Sequence, residues 1–189
     1  MAKPTPLPKL EPDCAACAAY CCVSLAFDKG PRFPFSKPAG TPCRHLERHK
    51  CAIHDDLDAR GFSGCIAYQC TGAGQRTLAL YDGKSWRDDP ALLAPQSETF
   101  RALRALHTAI SHLVTAAALP LPPVPEARRT ALLARLCPDR LTPALAARLA
   151  SGPLLGEVNA FLKSLPAHLP PEPRPDLRPD LHPDAREQP

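Results

Sequence analysis

Residues 14–22 read CAACAAYCC: four cysteines in nine positions, the last two adjacent. Such a stretch is a disulfide staple, a catalytic thiol pair or a metal cradle, and the fold around it depends on which. Further cysteines stand at 43, 51, 65 and 70, so eight of the nine lie within 57 residues. An odd total leaves one cysteine over from any complete pairing. The chain opens MAKPTPLPKLEPD, with four prolines and no apolar run, which matches neither a secretory signal nor a membrane span. The expected location is therefore the cytoplasm. Thiols are kept reduced there, and a dense cysteine set serves metal binding or catalysis. CAAC has the spacing of a dithiol redox pair, but the βαβ context of a thioredoxin-like protein is missing.

The spacing favours metal. It runs Cys14-x2-Cys17-x3-Cys21-Cys22, then Cys43-x7-Cys51-x2-His54, then Cys65-x4-Cys70. Thiolates are soft, anionic donors, the usual ligands of zinc and of iron–sulfur clusters. A two-residue gap lets Cys14 and Cys17 bend toward one centre. On a helix Cys14, Cys17 and Cys21 would share a face, with Cys22 turned about 100° away. Cys22 then joins from a distorted turn or belongs to a second site. The cofactor expected is an iron–sulfur cluster or Zn2+, held by Cys14, Cys17, Cys21, Cys22, Cys43, Cys51, Cys65 and Cys70. Two four-thiolate zinc sites satisfy the count; the crowded first segment suits one larger centre. His45, His49 and His54 are spare ligands at most. Asp55, Asp56 and Asp58 complement the start of a short helix, HDDLDARG, closed by Gly61.

Composition divides the chain. Residues 1–13 read as a disordered, proline-rich lead. Residues 14–90 hold the eight clustered cysteines and eight of the ten aromatics, and form the expected cysteine-cluster metal-binding domain. FDKGPRFPFSKPAGTPC is irregular, so Cys43 comes from a loop, and TLALYDGKSW suggests a hairpin about Asp82-Gly83. So little core calls for a metal to hold it together. Residues 91–165 turn to Ala, Leu and Arg at helical spacing. In SETFRALRALHTAISHLVTAAAL, Ser97 is placed to cap a helix whose stripe is Leu103, Leu106, Ile110, Leu113 and Ala117. EARRTALLARLC follows, with Leu132, Leu133, Leu136 and Cys137 on one face, and then TPALAARLA and PLLGEVNAFLKSL, each with Pro at its start. Cys137 is a core residue in this reading, and His107 and His112 are ordinary helix residues. Residues 166–189, with the repeat RPDL, RPDL, HPDA, are expected to be a disordered tail. The fold class is mainly α: a small irregular, metal-organised cysteine domain packed on a helical array.

CAACAAYCC, followed by CRHL, CAIH and GCIAYQC, resembles the CxxCxxCC zinc- or iron-chelating proteins, the YkgJ-like cysteine-cluster family. The resemblance covers roughly residues 14–75. It aligns Cys14, Cys17, Cys21 and Cys22 with the crowded motif, Cys43 and Cys51 with the middle elements, and Cys65 and Cys70 with the closing segment around Tyr68. What it implies is a bound zinc or iron–sulfur centre, in a family whose biochemical role is mostly unassigned. Three features depart from it. The first gaps are x2/x3 rather than x2/x2; His54 stands where the family has Tyr; and GFSG replaces Arg-Pro. GF-x-GC with the following GAGQ is similar to cysteine-rich modules ahead of pentapeptide repeats, though these 189 residues contain no such repeat.

Charge excludes other classes. The formal net charge is +4, spread as 12 Lys/Arg against 10 Asp/Glu in residues 1–90 and 11 against 9 in residues 91–189. There is no basic lobe for nucleic acid or an anionic membrane, and neither partner is expected. GAGQ lacks the endings of a phosphate loop, so Gly72 and Gly74 read as a turn beside Cys70. With no triad-like set, a non-enzymatic metal-binding role comes before a cluster-dependent enzyme or a zinc-stabilised protein- or nucleic-acid-binding module. An unknown protein partner stays open.

Overall fold

The computed structural model describes residues 6–168. Residues 1–5 of the lead and 169–189 of the expected tail lie outside them. The described chain is mainly helical: seven α-helices, four short 3-10 turns and one two-stranded hairpin.

The longest helix, α4 (Leu93–Thr115), organises the rest. Its stripe is buried as expected at Leu103, Leu106, Ile110 and Leu113, with Phe100 beside them. Two details differ from the periodicity. The helix begins before Ser97, because Asp89 accepts a hydrogen bond from Ala91 N (3.0 Å) and opens a 3-10 turn, Pro90–Leu92, that runs into α4. Pro95 falls in the first turn, where no intrahelical N–H bond is lost. Ser97 is buried inside the helix and accepts from the Ser24 hydroxyl (2.8 Å). At the far end the stripe passes to Ala116 rather than Ala117, because residues 116–118 tighten into a 3-10 turn and the period drops toward three.

Helices α5 (Pro123–Leu136), α6 (Pro143–Ser151) and α7 (Leu154–Ser164) pack on one side of α4. They contribute Leu132, Leu136, Cys137, Ala146, Leu154, Val158 and Phe161 to the core. The Thr142 hydroxyl caps α6 by accepting from Leu145 N (3.2 Å). Arg129 is buried without any sign in the hydrophobic pattern. Its Nη1 donates to Leu113 O (3.0 Å), and its Nε and Nη2 grip the Glu126 carboxylate (2.7 and 2.6 Å).

Helix α4 also carries the cysteine region, through α1 (Tyr20–Ser24) and α3 (Ala73–Leu80). One hydrophobic cluster includes Ala18, Tyr20, Val23, Ala73 and Trp86 together with the array's leucines, so the two parts share a core. Gln96, fully buried on α4, is the polar pin. Its Oε1 accepts from Tyr20 Oη (2.9 Å) and Trp86 N (3.0 Å), and its Nε2 donates to Lys84 O (2.6 Å).

The hairpin expected at Asp82-Gly83 is the C-terminus of α3. Asp82 (φ 54°) and Gly83 (φ 78°) are both left-handed, and Gly83 N reaches Leu78 O (3.0 Å) while Asp82 N reaches Ala79 O (3.3 Å). That is the bond pair of a Schellman stop, which uses the same positive-φ residues as a tight hairpin. The lead, expected to be unstructured, has no helix or strand over residues 6–13 but is tied to α3. Gln75 Nε2 donates to Glu11 O (2.7 Å) and Gln75 Oε1 accepts from Asp13 N (3.3 Å). Gly72 (φ 73°) starts α3 in a left-handed turn, where a Cβ would collide with the carbonyl of Lys9.

Between α1 and α3 the chain makes the hairpin β1 (Leu46–Glu47) and β2 (Lys50–Cys51), then the short α2 (Ser63–Ile66). HDDLDARG forms only one 3-10 turn, His54–Asp56, before Gly61. Ile53 and Phe62 are the buried apolar residues of this stretch. An aromatic group, with Phe27 stacked on Phe33 at 4.3 Å and Phe62 edge-on to Phe35, braces it.

Candidate metal centre

Cys14 and Cys17 lie on a turn rather than a helix. The Asp13 carboxylate accepts from Ala16 N (3.2 Å) and closes that turn. Ala19, at φ 56°, then redirects the chain into α1, which presents Cys21 and Cys22. Their Sγ atoms are 3.8 Å apart. Cys43, on an irregular segment as expected, donates its N–H to Cys22 O (2.9 Å), and Leu46 N returns to Cys43 O (2.9 Å). The hairpin pairs Leu46 with Cys51, so Cys43 and Cys51 are brought to one end of it. Cys65 is in α2. Cys70 accepts Ala73 N through its carbonyl (3.0 Å) at the entry to α3. Cys17 reaches the same entry: a Cβ added at Gly74 would stand 2.5 Å from Cys17 Sγ. The glycines of GAGQ thus make a turn beside Cys70 and leave room for a thiol.

All nine cysteines are free thiols, and Cys137 alone is buried in the core, away from the others. The remaining eight act on one another electrostatically. Burial raises the Cys14 thiol's pKa, and negative charge at Cys21 and Cys70 adds to this. Burial pushes Cys17 up to about 11, with the same two neighbours contributing. Cys65 is likewise pushed to about 11 by burial and then by Cys21, Cys43 and Cys51. Cys51 is raised by burial and by Cys43 and Cys21. Cys21, common to every set, is raised most, by its hydrogen bond with Cys22 and then by burial. Charge at Cys21 is thus felt at Cys14, Cys17, Cys51 and Cys65, and charge at Cys70 is felt at Cys14 and Cys17.

Neighbouring thiols oppose one another's ionisation, since each new thiolate repels the rest. Among the described residues no group of three or more His, Cys, Asp and Glu already stands at the spacing of a single metal ion. The spare histidines are elsewhere. His45 packs in the aromatic group, His49 Nε2 meets Ser85 Oγ (3.0 Å), and the exposed His54 faces Asp55.

One cation is built in. Lys37, only 4% exposed, donates from Nζ to Thr41 O (2.8 Å), Pro38 O (3.1 Å) and Val23 O (3.4 Å). Burial lowers its pKa, and negative charge at Cys43, Cys22 and Cys21 opposes that shift. Lys37 lies in a Pro/Gly-rich run and Gln75 follows the glycines of a turn, and neither has a periodic signal: the Lys37 carbonyls are set by loop geometry and the Gln75 partner is 64 residues away.

Over 140 residues, 70% of its length, the chain is 38% identical to "Uncharacterized protein YybG" of Bacillus subtilis (strain 168). It spans about half of that protein, 50% of its length. No protein-family model matches the chain, and no solved structure matches it.

Proposed function

We propose that the chain is a non-enzymatic, cytoplasmic metal-binding protein that holds an iron–sulfur cluster or zinc through Cys14, Cys17, Cys21, Cys22, Cys43, Cys51, Cys65 and Cys70. The family resemblance points the same way. What supports the reading is that free thiols from separate turns, strands and helices come near one another, with Cys21 Sγ 3.8 Å from Cys22 Sγ, Cys43 bonded through its N–H to Cys22 O and Cys17 at the α3 entry beside Cys70, while the ninth cysteine is left in the core. The donor set fits a soft metal, since thiolates that repel one another are stabilised when a cation replaces their protons. Bound there, the centre would supply cross-linking of the cysteine segments, and electron storage if it is a cluster. The chain's own residues prepare the patch. Asp13 shapes the Cys14–Cys17 turn, Gly74 clears space for Cys17, and the Lys37 ammonium offsets the excess negative charge of a thiolate-rich site.

Anaerobic purification with elemental analysis and a visible spectrum is the direct test. Iron with labile sulfide and a brown colour assigns a cluster; colourless protein with stoichiometric zinc assigns zinc. Protein that retains neither and cannot be loaded with either overturns the proposal. In the same preparation Lys37→Met is expected to weaken metal retention against a competing chelator by about 10–100-fold, the usual effect of losing an outer partner. Unchanged retention would remove Lys37 from the site.

A further inference from the structure

A second feature is independent of the thiols. Beneath residues 6–8 of the lead, α3, α4 and the link between α5 and α6 line a partly open pocket of about 270 Å³. Its lining mixes apolar side chains, among them Leu103, Leu106, Ile110 and Leu136, with polar groups, and Arg76 of α3 is one of these. Arg76 Nε is sealed from solvent and has no hydrogen-bond partner among the described residues, and no carboxylate there forms an ion pair with this guanidinium. A shielded Nε–H without an acceptor is costly, because its lost hydration is not replaced.

The other polar groups of the cavity do not fill that role. His107 Nδ1 lies 2.7 Å from Thr71 O. A carbonyl only accepts, so Nδ1 carries the proton and Nε2 a lone pair. Burial lowers the His107 pKa; the hydrogen bond to Thr71 opposes this and the charge of Arg76 adds to it. Cys137, also in the lining, is held as a neutral thiol by burial. Asp139 lies exposed at the mouth. The pocket thus presents one guanidinium without an ion-pair partner among the described residues, beside leucine and isoleucine side chains.

We infer that this cavity is a binding site for a small monocarboxylate with a short apolar body. The carboxylate would meet the Arg76 guanidinium, for which two parallel N–H···O bonds are the favoured geometry. The hydrocarbon would lie along Leu103, Leu106 and Ile110. The volume is slightly below the ~300–1,000 Å³ of drug-sized pockets, which restricts the ligand to a short chain. A single cation matches one negative charge better than the two of a phosphate monoester.

Isothermal titration of the full chain, as purified with whatever metal it holds, tests this with hexanoate and hexan-1-ol. Saturable binding of one hexanoate per chain is expected, with the alcohol at least about tenfold weaker because it leaves Arg76 unpaired. Arg76→Met should weaken hexanoate by about tenfold or more while leaving alcohol binding in place. Asp139→Asn, at the mouth, should leave hexanoate affinity equal or tighter at low salt, since it removes a like charge. It keeps the question open to test if Arg76→Met does not fold. Absence of saturable hexanoate binding, equal affinity for the alcohol, unchanged affinity in Arg76→Met, or weaker binding in Asp139→Asn would each overturn the inference.

Discussion

Stripped of metal under reducing conditions, the protein is expected to lose amide-exchange protection across residues 25–72 while α4 to α7 keep theirs. The reason is the distribution of burial. Ile53 and Phe62 are the buried apolar residues of that stretch, and its backbone order rests on short turns, one two-residue hairpin and the four-residue α2. That much apolar area offsets the ordering entropy of only a few residues. Structural zinc sites supply on the order of 10 kcal/mol or more to small domains, so the proposed centre would dominate local stability. Cys51→Ser should have the same regional effect, and so should Cys17→Ser. Residues 18–24 and 73–86 should respond less, because Tyr20, Val23, Ala73 and Trp86 are anchored in the shared core. Full protection of residues 25–72 in verified metal-free protein would show that the fold does not depend on metal.

Gln96→Leu is expected to cost about 3 kcal/mol or more, read as a lower urea midpoint with little change in slope. Gln96 is fully buried, and its amide satisfies three groups from the cysteine side: the Tyr20 hydroxyl, the Trp86 N–H and the Lys84 carbonyl. Leucine matches its volume approximately but pairs with none of them, and each buried group left unpaired costs roughly 1–3 kcal/mol. Tyr20→Phe, which removes one donor and leaves Gln96 with two partners, should cost only about 1 kcal/mol. A loss below about 1 kcal/mol for Gln96→Leu would mean that water replaces the amide, and that the pin between α1, α4 and the Trp86 segment is unimportant.

The helical array was largely legible because its rule is local. Apolar residues three and four apart bury one face, and Leu103, Leu106, Ile110 and Leu113 followed that rule to the register. Its ends were less legible. The start of α4 depended on Asp89 and on a proline tolerated in a first turn, and its last buried residue moved by one where the helix tightened. Asp82-Gly83 was ambiguous for a sharper reason. Two consecutive left-handed residues end a helix or turn a hairpin equally well, and only the preceding α3 decides between them.

For the candidate site, the sequence by itself determined which residue types are available. Eight clustered thiols at metal-like spacing, and a ninth on an apolar helix face, can be read from the letters, and Cys137 is indeed in the core. Tertiary structure alone decided that Cys21 and Cys22 Sγ stand 3.8 Å apart, that His45, His49 and His54 have the partners they do, and that Lys37 is enclosed among carbonyls. It also decided that Gln96 joins the two halves and that Arg76 lines a pocket beside Leu103 and Leu106. The physical reason is common to all of these. Periodicity reports which face of an element is apolar, whereas the partners of a buried polar group come from other turns and elements, and no periodic pattern encodes them.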